Sequence, residues 1–307
     1  MTGALSIALA ALLAGPASDD WEPASSPPPT AWARAGARPW RSCDAAARPA
    51  LAVRLGMRGR GKFEPVWRGR AKHCPGAPDI LVLAAQESII EAVPKGWMPE
   101  AESDLDGSIA DHRAAAQEAI AFIDRALEES ARQGAAAPFE AYYLQAYAAS
   151  MLGDAAGVRK SLKHAAEVGD AERWRIERMR AVAAMYEGKL DEAVRLAHLA
   201  RVDAPHDASE RQISRYVWAL ILDRAGASAS ARAVFRQLRR EPGSLEARPA
   251  VESMLPPHER MFLRAIEHQA HAETTNASRL WDAYLQRPEP SEADRALAMR
   301  HRDELRR

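Results

Sequence analysis

The chain has 307 residues and carries 42 basic and 42 acidic side chains, so its formal net charge is zero. A general nucleic-acid binder is usually basic overall, and this balance argues against that class of protein. Alanine makes up about a fifth of the chain, arginine far outnumbers lysine, and β-branched residues are sparse. Because alanine and arginine favour helices, the composition predicts an all-helical protein and excludes a large β-sheet fold.

An apolar run over residues 4–14 begins the chain, followed by Gly15-Pro16-Ala17. An apolar stretch of roughly 7–15 residues with small residues after it is typical of a secretory signal peptide, although residues 1–3 carry no Lys or Arg. We expect a signal peptide over 1–17, cleavage after Ala17, and export to the periplasm or the extracellular space. A cytoplasmic location is the alternative. No run of 18 apolar residues exists, so no membrane-spanning helix is expected after cleavage.

Residues 18–40 are rich in Pro, Ala and Ser, and this composition predicts a disordered linker. Cys43 and Cys74, the two cysteines of the chain, follow this segment. In an oxidising compartment an even cysteine count favours a disulfide, which we expect between these two residues. Two buried free thiols in a cytosolic protein are the alternative.

Apolar residues at spacings of three and four predict a series of short helices after the linker. The domains expected from them are an N-terminal helical unit over 41–95 with the disulfide, an acidic loop over 96–110, and helix pairs over 111–242. A Pro-rich break over 243–256 and a C-terminal helical unit over 257–307 complete the chain. The predicted helices cover 42–57, 62–73, 79–92, 110–133, 138–152, 155–168, 171–187, 190–203, 208–225, 228–240, 257–272, 275–286 and 291–306.

Gly153, Gly188 and Gly226 each lie between two predicted helices, at spacings of 35 and 38 residues. Small residues flank these glycines at regular places, most completely around Gly188, where the positions are Ala181, Ala193, Ala200 and a closing Pro205. This pattern resembles the tetratricopeptide repeat family, most closely over 138–242. The resemblance implies an all-α fold, a solenoid of antiparallel helix pairs interrupted by irregular segments. An irregular helical bundle is the alternative.

The family resemblance also implies a concave groove lined by the first helix of each pair, in which a peptide or protein partner binds. Counting back from each turn glycine places tyrosines and arginines there, which give large contact area together with a polar end. We therefore predict a binding surface, partly exposed, made of Tyr143, Tyr147, Arg175, Arg178 and Tyr216. Half-buried packing between neighbouring helix pairs is the alternative role for the tyrosines.

Charge is segregated along the chain despite the net balance. Residues 31–73 contain eleven Lys or Arg and two Asp or Glu, whereas residues 79–130 contain twelve acidic and three basic side chains. The basic block could bind an anionic envelope polymer or lipid surface, which is the second functional hypothesis. Alternatively, the two blocks compensate each other.

The sequence contains no recognised catalytic motif: no G-x-S-x-G elbow, no phosphate-binding loop and no H-E-x-x-H. His268, His271 and Glu273 could share one helix face, but such residues are more often solvated than metal-binding. We expect no enzymatic activity, no catalytic residue, no metal and no cofactor. A small-molecule enzyme is the least favoured of the hypotheses.

Overall fold

The computed structural model describes Cys43 and residues 67–91, 107–168, 172–204, 208–241 and 244–307. These residues form thirteen α-helices and no β-strand. The predicted all-α, solenoid-like fold class is therefore confirmed. The helices are α1 Trp67–His73, α2 Pro78–Glu91, α3 Gly107–Arg132, α4 Phe139–Met151, α5 Ala155–Glu167, α6 Arg173–Tyr186, α7 Leu190–Asp203, α8 Ala208–Arg224, α9 Ser228–Leu238, α10 Ser244–Met254, α11 Pro257–Ala270, α12 Thr274–Leu285 and α13 Glu292–Leu305.

The chain divides into two compact units, of which the first comprises Met1–Ala92 and Ala114–Gln145. In this unit α1 packs against α2, and the buried Glu87 of α2 accepts hydrogen bonds from the backbone N–H groups of Trp67 and Arg68 at 2.6 and 3.0 Å. A carboxylate here satisfies amides that a helix start leaves unpaired. Cys74, directly after α1, is disulfide-bonded to Cys43, with 5.5 Å between their Cα atoms, as predicted.

The second unit comprises Val93–Arg113 and Ala146–Arg307. In it, α6 packs against α5, α7 and α8, and α8 packs against α7 and α9. The series continues with α9 against α11, α11 against α12 and α12 against α13. Neighbouring helix pairs thus stack in chain order, which is how a solenoid buries faces that one pair cannot bury alone.

Small residues allow these helices to approach closely. Ala181, Ala193 and Ala200, three of the positions that carried the repeat pattern, are at most 1% exposed. A larger side chain at any of them would have to push two helices apart.

The pairs α4–α5, α6–α7, α8–α9 and α11–α12 each turn through one residue in the left-handed backbone conformation. Gly188 has φ of 71°; its N–H bonds to Met185 O at 3.0 Å, and the next N–H, of Lys189, bonds to Ala184 O at 2.9 Å. This bond pattern is the Schellman motif, which closes a helix and favours glycine because glycine has no Cβ. Gly188, which lies between two predicted helices in the sequence, thus ends the first of them at positive φ.

The last helix pair uses an alanine where the others use glycine. Ala272, between α11 and α12, has φ of 59°, and Glu273 N–H bonds to His268 O at 2.9 Å in the same motif. The sequence pattern found no turn glycine in this pair. The structure shows that the turn is nevertheless made in the same way, with an alanine in a conformation that glycine adopts more easily.

The expected Pro-rich break over 243–256 differs from the structure, which has helix α10 over Ser244–Met254 with Pro249 inside it. Burial of one side of this helix outweighs the hydrogen bond that proline cannot donate. Among the described residues, no helix is both long and apolar enough to cross a membrane. The predicted signal peptide, linker, first helix over 42–57 and most of the 96–110 loop lie outside the described residues.

Candidate functional site

The first helices of the pairs, α4, α6, α8 and α11, bring polar side chains together in the second unit. Helix α10 lies against α4, α8 and α11. We call the part formed by Tyr147, Ser150, Tyr186, Tyr216 and Arg224 the first-helix face. It contains two of the five residues predicted for the partner-binding groove, Tyr147 and Tyr216. In the structure Tyr147 and Ser150 bind α10, and Tyr216 and Arg224 bind α11. Tyr186 contacts Ser150.

Hydroxyl groups of α4 hold the backbone of α10. Tyr147 Oη donates a hydrogen bond to Ala250 O at 2.8 Å and also contacts Ser253 Oγ. Ser150 Oγ donates to Met254 O at 2.7 Å, one turn further along both helices. Met254 ends α10, so Ser150 satisfies a carbonyl that lacks an intrahelical donor, whereas Tyr147 adds a hydrogen bond to a carbonyl one turn inside the helix.

One side of α10 is apolar and fully buried. Ala247, Val251 and Met254 are at most 1% exposed, as is Leu255 directly after the helix. Their spacings of four and three residues place them on one helix face. This arrangement is the way an amphipathic helix is recognised in a groove, with anchors on successive turns.

An ion-pair cluster fixes the same helix from its polar side. Glu252 of α10, 2% exposed, accepts two hydrogen bonds from Arg264 of α11, at 2.8 and 2.7 Å, and one from Arg248 at 2.8 Å. Burial by itself raises the pKa of Glu252, but the hydrogen bond from Arg264 and the charge of Arg248 lower it to about 2. Glu252 is therefore a carboxylate at neutral pH.

The cluster continues from α10 to α8. Arg248 lies 3.0 Å from Glu267 of α11, and Tyr216 of α8 donates its hydroxyl hydrogen to Glu267 at 3.0 Å. Burial and the adjacent Glu267 charge raise the pKa of Tyr216, so the phenol stays protonated and remains a donor. Three helices are thus joined through one carboxylate.

A second buried cation lies at the end of α8. Arg224 donates to both carboxylate oxygens of Glu259 at 2.6 Å and to Tyr284 Oη at 3.1 Å, and it is paired with Asp294 of α13. Its guanidinium lies 3.6 Å from the ring centroid of Phe262. Burial disfavours the charge, but Glu259 outweighs it and raises the pKa of Arg224.

A histidine and an arginine complete the buried polar groups. His112 of α3 is 1% exposed, contacts Met151 O at 3.2 Å and lies within hydrogen-bond distance of Arg260 of α11. Arg260 also donates to Leu255 O at 3.0 Å. Burial and the Arg260 charge lower the pKa of His112 to about 3, and burial lowers the pKa of Arg260 to about 10. A neutral ring can donate from Nε2 to Met151 and accept at Nδ1 from Arg260.

The five predicted binding residues differ in their exposure. Tyr147 and Arg175 are half-buried, in agreement with the expected partial exposure, and Arg175 pairs with Glu172 at 3.0 Å. Tyr143, Arg178 and Tyr216 are each only 3% exposed, and for them the expectation of partial exposure is wrong.

Each buried member has a contact that removes it from solvent. Arg178 of α6 forms an ion pair with Glu210 of α8 at 2.8 Å and lies over the ring of Trp174 at 5.0 Å. Tyr143 belongs to the first unit, where its ring stacks on Phe139 at a centroid distance of 5.7 Å. The structure therefore joins Tyr147 and Tyr216 to one buried network and leaves Tyr143 in the other unit. Whether any of the five binds a partner stays a prediction.

The residues that the sequence did not indicate are the charged ones of α10 and α11, above all Glu252 and Arg264. A signal was present, because Ala247, Val251 and Met254 have helical spacing inside the segment interpreted as a break. The partner of Glu252 is on another helix, and no local pattern identifies such a pair.

Among the described residues, no three His, Cys, Asp or Glu side chains are placed to share a metal ion. His268 and Glu273 are hydrogen-bonded to each other at 2.6 Å, and Glu273 also accepts from Arg239 at 2.7 Å. The basic block over 31–73 lies mostly outside the described residues, so binding through it stays a prediction.

Comparison of the chain with protein-family models, with curated proteins and with solved structures found no significant match.

Proposed function

We propose that this protein is a non-catalytic adaptor built from tetratricopeptide-like helix pairs, which binds a helical segment of a peptide or protein partner through its first helices. The observation that carries the proposal is that the first-helix face, together with Arg264 of α11, already binds a helix, α10. Hydroxyl groups of the face donate to its backbone, and Arg264 binds its buried carboxylate, Glu252. A surface with this chemistry is suited to peptide recognition, because it forms hydrogen bonds with the main chain of a helix and contacts with its side chains.

The repeat-like nature of the pairs is supported by two features. The turns at Gly153, Gly188 and Gly226 all have positive φ, and the small residues expected on either side of Gly188 are buried where helices meet. Both features are what close packing of repeated helix hairpins requires.

Export is part of the proposal. The apolar run over 4–14 and the disulfide between Cys43 and Cys74 support it, because disulfides persist in oxidising compartments. Protein purified from the envelope or medium of the native host is expected to begin near Ser18 by N-terminal sequencing. An intact Met1 found in a cytosolic fraction would contradict export.

The adaptor function is tested by site-specific photo-crosslinking in the native host. A photoreactive phenylalanine analogue replaces Tyr147 on the first-helix face, and the control carries it at Val202, a 59% exposed position on α7. We expect crosslinks from position 147 to map to a single helical segment of the captured protein. We expect no crosslink from position 202 to that segment. Adducts of equal yield and identity from both positions, or none from position 147, would overturn the proposal.

A further inference from the structure

Helix α10 connects α9 to α11 in the chain. It also contacts the first-helix face in the way that a bound helical peptide would. We propose that α10 is a displaceable internal ligand of the first-helix face, and that the partner is an amphipathic helix with the same anchors, including a carboxylate for Arg264. This inference rests on the proposed function, since it names the partner class for that same face.

Fewer large apolar side chains hold α10 than hold the helix that follows it. Among the side chains that the structure describes, the buried apolar anchors of α10 are Ala247, Val251 and Met254, with Leu255 directly after the helix, whereas α11 buries Met261, Phe262, Leu263 and Ile266. Free energy of burial grows with apolar area, so α10 gains less from docking than the helix that follows it. A segment with few buried apolar contacts is expected to open locally before the rest of the fold.

Pro249 weakens the helix itself. It is the sixth residue of α10 and cannot donate the backbone hydrogen bond that the preceding turn would accept. An undocked α10 therefore has little tendency to remain helical. Docking on the face supplies the stabilisation that the sequence of α10 lacks.

Release of α10 separates its ion pair with Arg264 but exposes both partners to water. When α10 undocks, Glu252 leaves together with Arg248, and Arg264 stays on α11. All three side chains become hydrated, and this hydration offsets the loss of the ion pair between Glu252 and Arg264. An incoming helix with a carboxylate in the place of Glu252 restores the pair with Arg264. A helix without the carboxylate would bury Arg264 without a partner, which is strongly unfavourable.

The partner class follows from these contacts. It is a helical segment with small or branched apolar side chains at the spacing of Ala247, Val251 and Met254, and an acidic residue next to the second of them. Main-chain carbonyls take the hydrogen bonds from Tyr147 and Ser150 regardless of the partner's sequence. Selectivity therefore comes from the carboxylate and the side-chain sizes.

The test uses the full chain and a fluorescent peptide with the sequence of residues 244–255, followed by fluorescence anisotropy. In the chain, Glu252→Lys releases α10 by placing a cation against Arg264, and Glu289→Lys, at an exposed loop position, is the matched control. We expect Glu252→Lys to bind the peptide at least tenfold more tightly than wild type or Glu289→Lys. A peptide carrying Glu252→Lys should bind the released chain at least tenfold more weakly than the native peptide.

Equal binding by all three chains, or absence of binding to a folded Glu252→Lys chain, would overturn the inference. Hydrogen exchange of wild type tests it without relying on that variant. Amides of α10 should exchange at least tenfold faster than those of α8, and Pro249→Ala should slow them. Exchange of α10 and α8 at one common rate would show that α10 opens only with the whole unit, which contradicts displacement.

The two proposals fail separately. If crosslinks form at position 147 while α10 never undocks, the adaptor function stands and the partner binds beside α10. If α10 undocks and its peptide binds while no crosslink forms in the host, the face is a helix-binding site without the proposed cellular role.

Discussion

At the scale of single residues, backbone conformation is the clearest source of a prediction. Ala272 occupies the left-handed region, which is unfavourable for a residue with a Cβ by roughly 1 kcal/mol. Ala272→Gly is therefore expected to raise the free energy of unfolding by about 1 kcal/mol, as measured by urea unfolding. A lowered unfolding midpoint would contradict this explanation of the turn.

Gly188→Ala is the matched control for Ala272→Gly. A Cβ at position 188 would meet no atom within 4 Å, so its effect reports backbone conformation alone. We expect a loss of about 1 kcal/mol, equal in size and opposite in sign. Equal signs for the two variants would show that packing, and not φ, governs these turns.

The burial of Arg178 leads to a second prediction, opposite to the one its position in the sequence suggests. Arg178→Ala leaves Glu210 buried without its cation and is expected to lower the free energy of unfolding by about 3–5 kcal/mol. Arg300→Ala, at an exposed position on α13, is the control and should leave the midpoint unchanged. An unfolding midpoint equal to that of wild type for Arg178→Ala would contradict a structural role for the ion pair and favour the predicted binding role of Arg178.

The sequence predicted the roles of residues that interact with near neighbours in the chain. It did not predict the roles of residues whose partners are far away in the sequence. Gly188 and Ala193 were predicted correctly because turn conformation and close helix approach depend on residues a few positions apart. The burial of Arg178 depends on Glu210, 32 positions later, and no spacing rule connects the two. The same limit applies to Glu252 and Arg264 in the candidate site.

At the scale of helices, His112 joins the first turns of α3, the end of α4 and α11. Its folded pKa of about 3 lies below the ordinary value of 6.5, so between these pH values only the unfolded chain gains the proton. Stability from the neutral ring is thus complete above pH 6.5 and is lost as pH falls. We expect wild type to lose about 2 kcal/mol between pH 7 and pH 5 in urea unfolding.

The variant His112→Gln removes this titration and should flatten the loss over that interval. Glutamine keeps an amide donor for Met151 O, so helix contacts are largely preserved. The control His198→Gln changes an exposed histidine on α7 and should retain the wild-type dependence. If His112→Gln loses as much stability as wild type, other groups cause the pH dependence.

The helices also show why α10 was interpreted as a break. Proline at position 249 and further prolines on both sides are strong signals against a helix. They describe local preference, whereas the burial of Val251 and Met254 against other helices is a tertiary effect that overrides it. The helices around the turn glycines were predictable because local and tertiary preferences agree there.

At the scale of the whole molecule, the disulfide acts on one unit only. Reduction of Cys43–Cys74, which are 31 residues apart, removes a crosslink worth about 3–4 kcal/mol in the chain-entropy model. We expect reduction to accelerate hydrogen exchange in α1 and α2 and to leave exchange in α6–α9 unchanged. Acceleration of equal size in both sets of helices would show that the crosslink stabilises the chain as a whole.

During synthesis, Arg224 emerges before the residues with which it pairs in the folded protein. Its partners Glu259, Tyr284 and Asp294 are made 35 to 70 residues later, so the emerging chain carries an unmatched cation at the end of α8 for a time on the order of ten seconds. A product that stops after α9 never acquires these partners. A chain that ends before the last three helices is therefore expected to keep the Arg224 side chain hydrated and the end of α8 open to water, which distinguishes it from the finished protein.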